Sequence, residues 1–251
     1  MDWTDQGIVL SARKHGESSA IVTLLTREYG RHAGLVRGGS GKRQRGMYQS
    51  GNFVIAHWRG RLSEHLGSYT CELASGEREG GGATASKFLD DPLRLAAISS
   101  ACSITEWALP EREAHPPIYD GLTVLLDNME GPDWATVYVK WELGLLGELG
   151  FGMDLGSCAS TGSLEELTYV SPKSGRAVSE QAAAPYRHLL LPLPAFLQTT
   201  GKCGSPDEIL QGLALTGYFL EQHVLSQRNH NTLPTSRHRL CDRLAKTSEA
   251  S

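Results

Sequence analysis

Five short apolar runs, each closed by glycine or polar residues, fill the first 75 residues, and after residue 86 that texture stops. The runs span 7–13, 19–26, 31–36, 53–58 and 66–73, and their short length and partial alternation predict β-strands. Five strands in so few residues cannot form a broad open sheet. They fit a small closed barrel of the oligonucleotide-binding kind, with an SH3-like barrel open on pattern alone. Residues 76–86, with three consecutive glycines, read as a connection. Beyond it the apolar spacing becomes helical, over about 92–109, 118–128, 134–149, 194–197, 205–226 and 234–246. Residues 154–185 interrupt the helices, and 167–178 read as a hairpin turning at Pro172-Lys173-Ser174-Gly175. The expected fold class is α+β with two domains: a five-stranded barrel over 1–78, then a helical domain over 79–251 carrying the 154–185 insertion.

Charge follows the same division. The net charge is −4, yet residues 1–66 hold ten Lys and Arg against five acids. Residues 226–251 are again basic, with five cations and two acids, so the acidic excess lies between them. This pattern predicts a polyanion-binding front end and tail on an acidic body. The densest cationic stretch, 37–46, places Arg37, Lys42, Arg43 and Arg45 among glycines with no acid, between two expected strands. A basic glycine-rich loop on a β scaffold has the physical form of a phosphate grip. Arg13, Lys14, Arg31, Arg59 and Arg61 add charge on or beside strands. Tyr48 and Trp58 are the candidate stacking rings, and Arg237, Arg239 and Arg243 the cations of the last helix, where positions 239 and 243 share a face.

Enzymatic readings fail on spacing. Gly41-Lys42 resembles the end of a nucleotide-phosphate loop, but Val36 stands where its first glycine belongs and Arg43 where its hydroxyl belongs. No nucleophile elbow and no His-Glu-x-x-His helix is present, and the nine histidines are dispersed. No catalytic residue and no cofactor is expected. The five cysteines lack paired spacing, which predicts reduced thiols in a cytoplasmic protein; no apolar run is long enough for a membrane span.

Gly7-Ile8-Val9-Leu10, His15 to Thr26, Tyr29-Gly30-Arg31, Gly34 to Gly39, Gln49-Ser50-Gly51-Asn52 and the closing Leu233-Pro234-Thr235-Ser236-Arg237 together resemble the RecO family of bacterial DNA-repair proteins. The resemblance implies an oligonucleotide-binding barrel followed by a helical domain. It also implies binding of single- and double-stranded DNA, annealing of complementary strands, and loading of RecA, together with RecR, onto DNA coated by single-strand-binding protein. It further implies a helical-domain groove for the tail of single-strand-binding protein, for which Arg187, His188 and Lys202 beside the apolar run 189–197 are candidates. A rival reading is a non-enzymatic adaptor whose basic barrel docks an acidic protein. Many relatives carry a paired Cys-x-x-Cys zinc ribbon in the hairpin. Here only Cys158 remains; Thr161, Ser179 and Ala182 stand at the other positions, so a degenerate ribbon without zinc is expected.

Overall fold

The computed structural model describes residues 1–74, 82–199, 201–228, 230 and 232–249, excluding the side chains of Lys42, Arg43 and Glu249. Strands β1 (Asp2–His15), β2 (Ser19–Thr26), β3 (Gly30–Val36), β4 (Phe53–Arg59) and β5 (Ser68–Leu73) form a closed barrel in the order β1-β2-β3-β5-β4. Closure rests on the length of β1. Its first half pairs with β4 from Asp2↔Arg59 to Ile8↔Phe53, and from Gly7 onward it pairs with β2 as far as His15↔Ser19. A register shift between Val9 and Ser11 bends the strand between these partners. The parallel pair Leu35↔Ser68 joins β3 to β5. This is the oligonucleotide-binding barrel, which decides between the two small barrels that the strand pattern allows.

The barrel fills with Val9, Val22, Leu24, Val54 and Ala56, all buried, together with Tyr48, Trp58 and Tyr69. Two glycines make room for these rings. At Gly34 a Cβ would lie 2.4 Å from the Tyr69 ring, and at Gly67, whose φ is +59°, it would lie 2.4 Å from Trp58 Nε1.

A one-turn helix α1 (Lys42–Arg45) lies between β3 and β4, and α2 (Pro92–Ala108) and α3 (Pro116–Asp127) follow the barrel. Asp91 starts α2 by accepting from the amides of Leu93 and Arg94, with Pro92 in the first turn. The expected domain boundary at 78/79 lies outside the described residues. By backbone contacts the chain forms one unit of Met1–Leu126 with Pro234–Arg237, and another of Asp127–Leu233 with His238–Ser251.

The second unit contains α4 (Trp134–Glu148), β6 (Leu167–Val170), β7 (Ala177–Ser179), α5 (Glu180–Ala183), β8 (Leu191–Pro192), α6 (Pro206–Phe219) and most of α7 (Thr235–Glu249). Helices α4 and α6 approach closely at Gly212, where a Cβ would meet Val139 at 2.8 Å. Ser205 and Glu208 form a reciprocal capping box at the start of α6. The helix expected to run to 226 instead widens into a π-type turn over Leu220–Leu225. The expected hairpin is present, closed by Ser171 N–H donating to the Arg176 carbonyl at 2.9 Å, and β8 adds a third strand beside β6. No described helix is long and apolar enough to cross a membrane.

Candidate nucleic-acid interface

Strand register gathers part of the predicted cation set. Lys14 lies opposite Ala20, which lies opposite Val36, so Arg13, Lys14 and the start of the basic segment at Arg37 share one end of three neighbouring strands. The segment is folded against that end and is more than a bare loop. Ser40 N–H donates to the Ser18 carbonyl at 3.0 Å, and Ser40 Oγ lies 3.3 Å from the Glu17 carbonyl. Gln44 and Arg45 N–H both reach back to the Gly41 carbonyl, forming the α1 turn.

The far side of the segment is pinned by the buried Asn52. Its amide donates to the carbonyls of Gly46 and Met47 at 2.9 and 3.1 Å, while its oxygen accepts from Ala85 N–H at 3.0 Å. Arg37 and Arg45 are exposed; the side chains of Lys42 and Arg43 lie outside the described residues. Arg13 points largely to solvent but shares the buried Glu106 carboxylate with Ser11, each at 2.9 Å. Arg59 and Arg61 are exposed, Arg59 opposite Asp2 at the other end of β1.

Four expectations are corrected here. Tyr48 is buried in the barrel core, next to Cys71, and presents no open ring face. Burial raises its phenol above the usual range, and the Cys71 thiol also rises, to about 11. Trp58 is likewise buried, its indole N–H donating to the Leu66 carbonyl at 3.0 Å. Arg31 is mostly buried rather than free for phosphate; its guanidinium lies 3.6 Å from Glu111, and its carbonyl accepts from Arg112 N–H at 2.8 Å. Arg237 is buried to 1 % exposure and is not open to a phosphate. Arg239 and Arg243, in the second unit, are exposed as expected.

The aromatic surface lies elsewhere in the barrel. Because β1 begins at Asp2, Trp3 is paired opposite Trp58. Its ring stacks on Tyr29 at 4.3 Å and 8°, and lies 5.9 Å from Trp58 at 17°. His32, Arg112 and these three rings wall a cavity of about 370 Å³. His32 is held at both nitrogens: Nδ1 lies 3.0 Å from the Tyr69 hydroxyl, and Arg112 Nε lies 3.5 Å from Nε2. An arginine can only donate, so Nε2 is the acceptor and Nδ1 carries the proton. Burial, then the Arg112 charge, lowers the imidazole to about 4, so it is neutral at pH 7. Trp3 escapes sequence reasoning because the strand pattern is clear only from Gly7, and Tyr29 and Arg112 because they lie in turns that strand periodicity does not reach. The available signal was the alternation Trp3, Asp5, Gly7 leading into that strand pattern.

In the second unit, Arg187 pairs with Glu180 and its guanidinium lies 5.7 Å from the Tyr169 ring centre. It is adjacent in sequence to a groove formed partly by Val178, Ala182, Tyr186 and Leu189; Tyr186 and Leu189 are exposed. His188 is also exposed. Lys202 does not line that groove; its carbonyl accepts from Lys140 Nζ at 3.3 Å. Leu193 and Phe196 are core residues, so the 189–197 run is not one open slot.

At the positions expected to hold a degenerate ribbon, the buried Cys158 sulfur accepts from Ser179 N–H at 3.3 Å. Burial opposes ionisation there, but hydrogen bonds from Ser179 and Thr161 outweigh it and bring the thiol to about 6. One thiol, two hydroxyls and the Ala182 methyl do not fit a four-coordinate zinc site. Among the described residues no cluster of three or more His, Cys, Asp or Glu side chains could hold a metal.

Two family models match the chain: Recombination protein O N terminal over residues 1–76 and Recombination protein O C terminal over 89–232. Among curated proteins, the DNA repair protein RecO of Rhodospirillum centenum is 51% identical over 253 residues, covering 100% of this chain and 98% of that protein. Those of Rhodospirillum rubrum and a Jannaschia species are 47% and 42% identical, covering 99% and 97% of their own lengths.

Proposed function

Because the chain belongs to the RecO family of DNA repair proteins, we propose that it is a non-enzymatic recombination mediator. It binds single- and double-stranded DNA, anneals complementary strands and, with RecR, helps load RecA onto DNA coated with single-strand-binding protein. The observation that carries this reading is the acid-free basic segment 37–46, hydrogen-bonded across the strand ends that also carry Arg13 and Lys14. Phosphates need several cations on one face, and a segment pinned at both sides offers them with little ordering cost. Arg59, at the other end of β1, and Arg61 supply separate phosphate contacts on the barrel, and Arg239 and Arg243 supply a further DNA contact from α7. The binding steps require no covalent chemistry, and the protein works in the cytoplasm.

The division into a barrel over 1–78 and a helical domain over 79–251 belongs to the same reading. So does docking of the single-strand-binding-protein tail at the groove beside Arg187 and His188, where exposed Tyr186 and Leu189 supply the apolar contact and cations the complementary charge.

The test is strand annealing on DNA coated with single-strand-binding protein, comparing wild type with Lys42→Ala/Arg43→Ala/Arg45→Ala. The triple variant is expected to anneal at least about tenfold more slowly at moderate salt, with an unchanged unfolding midpoint. Equal rates would remove the segment from the function. Annealing of naked but not coated strands by the wild type would remove the partner role alone.

A further inference from the structure

The aromatic cavity of the barrel has no role in a phosphate grip, yet its walls are unusual for a purely structural feature. Tyr29, Trp3 and Trp58 form a succession of near-parallel rings, and the outermost, Tyr29, remains 39 % exposed. Trp58 is sealed into the core, but Trp3 is only partly covered and Tyr29 is exposed, so the outer end of the stack borders an accessible cavity. Its volume of about 370 Å³ lies within the range of small-ligand sites.

The polar lining is equally specific. Arg112 enters the wall with φ at +61°, a conformation unfavourable for a side chain other than glycine. Three contacts hold it there: its N–H on the Arg31 carbonyl, Nη2 on the His65 carbonyl at 3.0 Å, and Nε toward His32. Strained backbone of this kind persists where the surrounding structure over-determines it, often at binding sites. Asp2 and Glu28 are also lining residues, and their carboxylates are acceptors suited to exocyclic amino groups.

Two cations outside the lining lie close to it in the chain. Arg59 follows Trp58 and pairs opposite Asp2, and Arg61 leads the loop that brings Ser63 to the lining. Both are exposed. An exposed ring at the end of a stack, hydrogen-bonding groups in the lining and cations close by in the chain match a base, its edge and the phosphates on either side.

We infer that this cavity takes one unstacked nucleobase of single-stranded DNA, stacked on the Tyr29–Trp3 rings, with neighbouring phosphates on Arg59 and Arg61. The inference rests on the DNA-binding reading and adds a strand-selective site to it. A duplex keeps its bases stacked, so the cavity acts on single strands alone. An aromatic side chain of a partner protein would fit the ring walls but would leave the paired cations and carboxylates without use.

The experiment compares wild type, Tyr29→Ala and Trp3→Phe. The probes are a 20-nucleotide single strand carrying one 2-aminopurine, the matching duplex, and free dAMP. Tyr29→Ala, at an exposed position, is expected to weaken single-strand affinity about tenfold and leave duplex affinity within about twofold. Trp3→Phe keeps a ring and is expected to fall between wild type and Tyr29→Ala. In the wild type the 2-aminopurine is expected to be quenched on binding, and that quenching is lost in Tyr29→Ala.

Unchanged single-strand affinity, or equal losses on single strand and duplex, would overturn the inference and return the cavity to a structural or protein-docking role. Binding of dAMP as tight as the strand would reassign it to a free nucleotide. If the wild type binds neither strand nor duplex, the DNA-binding reading itself fails first.

Discussion

His32 shows how a single side chain ties the barrel's stability to pH. It is 3 % exposed, crossed by the edges of Trp3, Trp58 and Tyr69, and hydrogen-bonded at Nδ1. Its ionisation is lowered to about 4, first by burial and then by Arg112. An unfolded chain protonates this imidazole below about 6.5, whereas the folded barrel resists until about 4. The unfolded state therefore binds more protons in that window, and stability must fall as pH drops through it. The ceiling on this loss is about 3 kcal/mol, taken from the separation of the two ionisations. Urea unfolding of wild type and His32→Gln at pH 7.0, 5.5 and 4.5 checks it. The wild type should lose stability faster than the variant on acidification, the gap growing from pH 7.0 to pH 4.5. Parallel profiles would show that the imidazole protonates equally easily in both states.

Among the elements, the basic segment depends on a residue that carries no charge. Asn52 uses both ends of its amide, on Gly46, Met47 and Ala85, to join the segment and the 3₁₀ turn Thr84–Phe88 to the start of β4. Asn52→Ala would strand two carbonyls and one N–H, at a cost of about 2–3 kcal/mol in urea unfolding. It should also weaken DNA binding, because the cations would no longer be held in one arrangement. An unchanged unfolding midpoint would show that the segment is held in some other way. The capping box at α6 is a smaller and cleaner case: Ser205→Ala is expected to cost about 1 kcal/mol without affecting DNA binding.

These elements also show what was legible in the sequence. Strand β2, bounded by turn residues and apolar apart from Ser19, Thr23 and Thr26, was readable residue for residue, as was the start of α2 at Asp91-Pro92. The early part of β1 was hidden because Asp2, Asp5 and Gln6 read as a polar terminus, while their pairing partners, Arg59, Ala56 and Ile55, lie far along the chain on β4. Losing that stretch removed Trp3 from view, and with it the aromatic cavity. Tyr48 and Arg237 were misjudged for the same reason. Each has polar neighbours in sequence but is enclosed by elements that local periodicity cannot see.

At the scale of the whole molecule, the net charge of −4 conceals the basic barrel sequence, and that separation is what a nucleic-acid protein requires. The hairpin of the second unit is held by packing and by hydrogen bonds on the Cys158 sulfur, in a donor set unsuited to zinc. Purified protein is accordingly expected to contain far less than one zinc per chain, and EDTA should leave its unfolding midpoint unchanged. Stoichiometric zinc by elemental analysis would contradict that expectation.

The claim on which everything else depends is that the segment 37–46 grips phosphates. Its most direct test is a salt titration of single-strand binding by wild type and by Lys42→Ala/Arg43→Ala/Arg45→Ala. Each phosphate contact contributes about 0.7 to the slope of log affinity against log salt on single strands, so removing three cations should flatten the slope by about two. Identical slopes, with affinity equal at every salt concentration, would show that the segment touches no phosphate.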